Sequence, residues 1–372
     1  MTSSGALTSP GRSRQATAWR AGGILVLLAA IAIFPLVFTN ALVTTIAVDT
    51  LIFVAAASAW NIFSGYSGYI SLGHAVFFGC GAYTVGIAAR DWHLTGNAVF
   101  ALIPLAAVVA AVIAVPFGLV ALRVRRHTFV VVTIAIFFIF QLMAANFSFT
   151  GGTSGLSAPF LAWNPATYND PFYYLALAIV VGTVGLAWLI RGSRFGLQLR
   201  AIRDDEDRAR GLGVRTMRVK LAAFVISAFV IGMLGGLWFY FITQVLPQSG
   251  FDPLFDLSVA LIAFFGGLGT VSGPVLGALI LVPAQQYFTE QFTNDYLSQI
   301  VFGSLFLVVI LLLPRGVIPT AGEKIASWRA RRPRRMAGQP AAPPAAQLSV
   351  PPGAPPGAAA AAAGPAGPDG PR

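Results

Sequence analysis

Apolar residues run along this chain in long blocks separated by short polar breaks. Most blocks hold roughly 17 to 25 residues, the length at which a helix crosses a hydrocarbon core about 30 Å thick. The runs and their breaks define ten segments: 21–38, 41–63, 71–89, 98–122, 128–146, 171–190, 219–245, 254–265, 274–287 and 297–313. The eighth and ninth are short for a crossing and meet at "GGLGTVSGP", Gly266 to Pro274. This marks them as broken or re-entrant helices held in protein rather than in lipid. The expected fold is an all-α integral membrane protein, a polytopic bundle of about eight to ten transmembrane helices with broken or re-entrant segments.

Positive charge tests that count, because cytoplasmic loops of membrane proteins retain Lys and Arg. With the N-terminus inside, every one of the 24 Lys and Arg residues except Arg90 falls on the inner side. Asp91, Asp170, Asp252, Asp256, Glu290 and Asp295 fall on the outer side. An even number of crossings follows, with both termini cytoplasmic and the chain in the inner or plasma membrane. Composition agrees: 56% of residues are apolar and 10% charged, with a mean hydropathy of +0.76, whereas soluble domains carry about a quarter charged residues. A large soluble core and a second water-soluble domain are thereby excluded. The net charge of +11 follows from sidedness and contact with anionic membrane lipid, so no nucleic-acid partner is needed.

The two ends read differently from the middle. Residues 1–20 form a basic cytoplasmic N-terminus in which Arg12, Arg14 and Arg20 precede the first apolar run. That is the layout of a secretory signal, but no small-residue cleavage site follows, so the run is read as a retained first helix. Residues 317–336 form a basic juxtamembrane segment whose "WRARRPRR" suits inner-leaflet headgroups. Residues 337–372 are dominated by Pro, Ala and Gly and are expected to be disordered. The transmembrane region between them is residues 21–316.

Candidate chemistry is sparse. The one cysteine, Cys80, excludes an internal disulfide and a cysteine metal cluster, and reads as a small buried filler. His74, His93 and His127 show no metal spacing. No phosphate-binding G-x-x-x-x-G-K-[ST] sequence occurs, so no ATP site is expected on this chain, nor any cofactor or metal of its own. No nucleophile, base and orienting group stand together, which argues against a membrane enzyme.

Polar residues inside spans are functional candidates by default. Asp49 is the one acid predicted within a span, expected to meet a hydroxyl, a partner subunit or water. As sole support for a self-contained secondary transporter or channel it is thin. The stretch "GYSGYISLGHAVFFGCGAY", Gly65 to Tyr83, interrupts an apolar run with five glycines. Glycines permit close helix packing, and also a broken helix whose freed backbone faces a cavity. "GGLG", Gly266 to Gly269, is a second break in the other half of the chain. The two breaks nominate Gly68, Ser71, Gly73, His74, Gly266, Gly267 and Gly269 for a central pathway.

The longest polar stretch between spans is 191–219, with Lys220 following. Asp204 with Arg208 and Glu206 with Arg210 have helix-supporting spacing, and Gly211 with Gly213 supply a stop, so one short exposed helix is expected. A connector whose arginines only set topology needs no acids, yet Asp204 to Asp207 are four in a row. Ala201, Ile202, Ala209 and Leu212 offer apolar surface for a docking partner.

"SRFGLQLRAIRDDEDRARGLGV", Ser193 to Val214, resembles the cytoplasmic loop of branched-chain amino acid ABC importer permeases of the LivM-like subfamily. "GYSGYISLGHAVFFGCGAY", "TGGTSGL" from Thr150 to Leu156, and "FFGGLGTVSGPVLGAL" from Phe264 to Leu279 match that family's other signatures in order, over residues 40 to 316. The resemblance implies half of an importer pathway for branched-chain or related hydrophobic amino acids. It also implies a homologous second permease subunit, two cytoplasmic ATPase subunits that bind ATP and Mg, and an extracytoplasmic substrate-binding protein. It makes the loop an ATPase-coupling segment with candidate residues Arg200, Arg203, Glu206, Ala209 and Gly213, and it places Thr150, Gly151, Gly152 and Gly155 at the outer mouth. Two departures stand out: Ser154 for the usual acid weakens a charge contact with the binding protein, and Ala260 for a frequent Glu leaves urea or short-chain amides open as substrates.

Overall fold

The computed structural model describes residues 29, 31–38, 40–158, 167–291, 303 and 304. They belong to the first of two compact units, Met1–Lys324. The basic N-terminus, the juxtamembrane segment, the tail and nearly all of the tenth segment lie outside the described residues.

Helix α1 covers residues 31–37 and α2 Ala41–Trp60, which passes into a π-helical turn at Asn61–Gly65. There follow α3 (Ala75–Asp91), a 3-10 segment (Gly96–Leu102), α4 (Ile103–Ala121), α5 (Arg126–Asn146) and α6 (Asp170–Gly192). Helices α7 (Arg194–Asp204) and α8 (Glu206–Gly211) form the loop that leads into the long α9 (Thr216–Ile242). Then come α10 (Pro247–Gly250), α11 (Pro253–Gly266) and α12 (Ser272–Gln291). Two short strands, β1 (Leu156–Ser157) and β2 (Gln244–Val245), pair antiparallel between Leu156 and Val245 and between Ser157 and Gln244.

Helix starts follow local chemistry. The side chains of Asn40, Ser193 and Asp252 accept backbone N–H groups at the first turns of α2, α7 and α11. Proline opens α4, α6 and α11, where its missing N–H costs nothing. Among the described residues six helices are long and apolar enough to cross a membrane: Ala41–Gly65, Gly96–Ala121, Arg126–Asn146, Asp170–Gly192, Thr216–Ile242 and Pro247–Gly266. This is an all-α polytopic membrane protein.

Three elements differ from the hydropathy reading. The third segment becomes helical only at Ala75 and spans 17 residues, about 26 Å. The ninth, expected over 274–287, runs from Ser272 past Thr289 to Gln291 and reaches 20 residues, about 30 Å. Its polar end reads as a boundary in sequence, yet Thr289 folds its hydroxyl back to the Gln285 carbonyl at 3.0 Å and stays helical. The loop holds two helices rather than one, because Asp205 is extended (φ −157°, ψ 110°) and its side chain caps α8 through the N–H groups of Asp207 and Arg208. The Asp204–Arg208 pair is replaced by Arg208 with Asp205 at 3.0 Å, while Glu206 meets Arg210 at 3.4 Å.

Helix α9 is the centre of the bundle, packed against α3 and α4, while α2 packs against α6 and α12. The α3–α9 crossing has almost no side chain in it: a Cβ on Gly81 would strike the Gly232 carbonyl, and one on Gly235 would strike that of Phe78. Rings of Phe63, Phe77, Phe117, Phe129 and Phe224 fill the core beside it, with Phe63 and Phe224 5.0 Å apart edge to face. By contrast α5 buries only Phe129, Thr133, Phe137 and Ala144 and leaves Val131, Ile139 and Leu142 exposed, so its outer face is apolar and uncovered by this chain.

Candidate functional site

The two glycine breaks, distant in sequence, meet on the same side chain of the polar loop. Arg203, near the end of α7, donates Nη1 to the Gly65 carbonyl at 2.8 Å. It lies so close that a Cβ on Gly269 would overlap its guanidinium and one on Gly68 would sit 3.0 Å from its Cγ. Both glycines have positive φ, +74° and +79° for Gly68 and Gly269. Asn61, in the π turn, ties the breaks to each other: Nδ2 donates to the Thr270 carbonyl at 2.7 Å and Oδ1 accepts the Gly269 N–H at 2.8 Å. Gly266 and Gly267 complete the second break, with no room for a Cβ between Gly266 and the Gly273 carbonyl.

A second tie lies one turn further on. Glu206 accepts a hydrogen bond from Lys220 at 2.7 Å and another from the Tyr69 hydroxyl. Lys220, 4% exposed at its side chain, also donates to the Tyr69 oxygen at 3.1 Å and lies 4.3 Å from the ring centroid. Burial disfavours the Glu206 carboxylate, but hydrogen bonds from Lys220 and Tyr69, with the charges of Lys220 and Arg210, outweigh it and hold its pKa below the usual 4.5. Burial, then the bond to Glu206, push the Tyr69 phenol up, so it remains a donor. Arg126 closes the cluster by giving Nη2 to the Ile202 and Arg203 carbonyls, both at 2.6 Å, at the C-terminal end of α7. Arg200 binds the Gly196 and Arg191 carbonyls at 3.3 and 3.1 Å.

The docking face expected from sequence is corrected by this packing. Ile202 and Ala209 are buried in the chain itself, at 0% and 2% exposure; on α8, Glu206 faces Lys220 and Tyr69, and on α7, Arg126 holds the Ile202 carbonyl. Leu212 is 85% exposed and, with Leu197 at 58%, is apolar surface that the loop presents outward. Gly213 follows at φ +86°.

The remaining pathway candidates lie in the core. Trp60 donates its indole N–H to the Ser71 carbonyl at 2.8 Å, and Ser71 takes the Gly73 N–H on its hydroxyl. His74 is fully buried with Nε2 3.0 Å from the Ser227 hydroxyl, its ring edge-on to Phe77 and Phe224. Gly73 has Phe117 and the Thr133 carbonyl where a Cβ would go. Asp256, assigned to the outer side by charge distribution, is 1% exposed and accepts the Ala75 N–H at 3.0 Å on one oxygen and 3.2 Å on the other. It enters the interior because the first turn of α3 supplies the N–H donors that a buried carboxyl group needs. Asp49 accepts from Gln286 at 3.3 Å, a partner from α12.

The outer-mouth candidates are at the opposite end of α9. Thr150 gives its hydroxyl to the Ala144 and Phe147 carbonyls at 2.7 and 2.6 Å. Gly151 and Gly152 have positive φ, and Gly155 leads into β1 against β2, with the Val245 carbonyl where a Cβ would sit. The motif is thus a tight cap on the end of α9. Among the described residues no group of His, Cys, Asp or Glu could hold a metal ion.

Sequence reasoning missed Asn61, Tyr69, Arg126, Lys220 and Asp256. Asn61 carried a legible signal as an amide inside an apolar run. Lys220 and Arg126 did not, since counted as topology charges they look like any others.

An all-α bundle of apolar helices, broken twice and tied to a polar loop, defines a polytopic membrane protein. The chain belongs to the family described as "Branched-chain amino acid transport system / permease component", which matches residues 42–310. It is 28% identical over 303 residues to the high-affinity branched-chain amino acid transport system permease protein LivM of Salmonella typhimurium, covering 74% of this chain and 69% of that protein. The LivM protein of Escherichia coli matches to the same extent. The LivH permease protein of Salmonella typhimurium is 31% identical over 135 residues, 36% of this chain and 43% of that protein. No solved structure matches the chain.

Proposed function

We propose that this chain is one of two permease subunits of an ATP-binding cassette importer for a branched-chain or related hydrophobic amino acid. In this reading an extracytoplasmic binding protein delivers the substrate, and two ATPase subunits bind ATP and Mg on the cytoplasmic side, where both termini of this chain also lie. The second permease is a homologue, a reading favoured by the partial similarity to LivH as well as LivM.

One observation carries the proposal: the polar loop bonds the first chain break, through Arg203 to the Gly65 carbonyl and Glu206 to Tyr69, ties itself to α9 through Lys220, and packs Arg203 against the second break at Gly269. An ATPase seated on the loop, with Leu212 as its outward apolar contact, moves α7 and α8 as a rigid body. The shift reaches the Gly65 carbonyl and the turn at Gly269 without crossing any flexible chain. Near the breaks no cluster of buried charges among the described residues suits the two ionised groups of an amino acid, so selectivity rests mainly with the binding protein.

The test uses the whole importer in vesicles, with ATP hydrolysis and uptake of leucine measured together, and urea and acetamide as competing substrates. Arg203→Ala removes a charge-assisted hydrogen bond worth about 1.5–3 kcal/mol, so uptake per ATP is expected to fall about tenfold or more with the complex still assembled. Wild-type coupling in that variant would defeat the proposal, and uptake of urea in place of leucine would redirect the substrate.

A further inference from the structure

Beside the loop lies a cavity of about 560 Å³ whose exposed arginines, Arg123 and Arg125, the coupling role leaves unused. Its wall carries Arg123, Arg125, Arg126, Arg210 and Lys220, five cations, against two carboxylates, Glu206 and Asp207. Those carboxylates are already neutralised, Glu206 by Lys220 at 2.7 Å and Arg210 at 3.4 Å, and Asp207 by Arg210 at 3.8 Å. Arg126 is committed to the end of α7. Arg123 and Arg125 are exposed and, among the described residues, have no carboxylate within ion-pair distance.

Two helix beginnings add to this. The first residues of α5, Arg126 and His127, and of α9, Thr216 and Met217, line the same cavity. Neither helix has a side-chain cap or an acid in its first turn. Uncapped N–H groups and the positive ends of two long helices favour an anion, and converging arginines favour one with several oxygens. The surroundings are greasy: Leu119 and Val120 on α4 and Val131 on α5 are 41%, 61% and 65% exposed on either side of Arg123–Arg126.

We infer that this cavity binds a phosphate group, that of an anionic phospholipid headgroup from the leaflet on the loop side, with the acyl chains lying along the exposed flanks of α4 and α5. Free inorganic phosphate shares the headgroup chemistry but gains nothing from those flanks. Site and loop share Glu206, Arg210 and Lys220, so bound lipid loads the same residues that anchor α8.

The test needs neither uptake nor the ATPases, so its failure is distinct from failure of the coupling role. The full chain is purified in detergent and its retained phospholipids are counted by native mass spectrometry. Phosphatidylglycerol, phosphatidylcholine and inorganic phosphate are added separately to the wild type, to Arg123→Gln/Arg125→Gln and to Arg125→Lys. Phosphatidylglycerol is expected to bind about thirtyfold more weakly to the double variant, from the loss of about 1 kcal/mol per arginine, and nearly normally to Arg125→Lys. Phosphatidylcholine is expected to bind weakly throughout, and inorganic phosphate to leave the lipid in place. Equal retention of phosphatidylglycerol by wild type and double variant overturns the site, and displacement of the lipid by inorganic phosphate overturns the lipid as its occupant.

Discussion

Glu206 is charged in a place that would otherwise reject charge, and its partners set a pH window. Its folded pKa lies below the usual 4.5, so its contribution to anchoring α8 is complete above that value and is lost as pH falls through the lowered folded value. The protection factor for hydrogen exchange of residues 204–212, corrected for the intrinsic rate at each pH, is expected to be high at neutral pH and to fall only in acid, whereas Glu206→Gln is expected to show low protection already at neutral pH. Equal protection of the two proteins at neutral pH would refute the anchor. Asn61 holds one donor and one acceptor across the breaks, and Asn61→Leu strands the Gly269 N–H and the Thr270 carbonyl. A loss of about 1–3 kcal/mol is expected, read as an earlier thermal unfolding midpoint in detergent. An unchanged midpoint would mean that the contact contributes nothing.

At the scale of elements, α3 depends on a residue from another helix. It begins inside the bundle at Ala75, and Asp256 of α11 accepts its first N–H. Asp256→Ala is therefore expected to fray α3 from its start, with faster amide exchange at Ala75 to Phe78 and little change at Ala88 and Ala89, whereas uniform exchange along α3 would show that the cap is dispensable. Helix existence was largely legible, because apolar runs and their polar breaks record which parts of the chain meet lipid. Helix ends were less so: α12 outlasts its apolar stretch, and Asp205 divides the loop because one aspartate can be a cap as readily as a surface charge. The loop was found by its charge and glycine pattern, yet its orientation was not. Nothing in the spacing of Glu206 reveals that Lys220 and Tyr69 stand opposite.

For the whole molecule, the distribution of Lys and Arg predicts that the loop and the Thr150–Leu156 cap lie on opposite sides of the membrane. Their positions at the two ends of α9 fit this. After Cys80→Ala, single cysteines at Ser154 and at Asp205 are expected to react with an impermeant maleimide from opposite faces of sealed vesicles. Labelling of both from one face would overturn the orientation.

The glycine crossing of α3 and α9 limits what any transport motion can be. With backbone resting on backbone at Gly81 and Gly235, sliding one helix along the other by a single residue would drive a side chain into a carbonyl. The two helices are keyed together like a shaft in its slot, so they can turn only as one piece. Whatever aperture the protein opens, the compliance must come from the seams around that piece, and a bulky residue at Gly81 would jam the machine at assembly rather than slow its cycle.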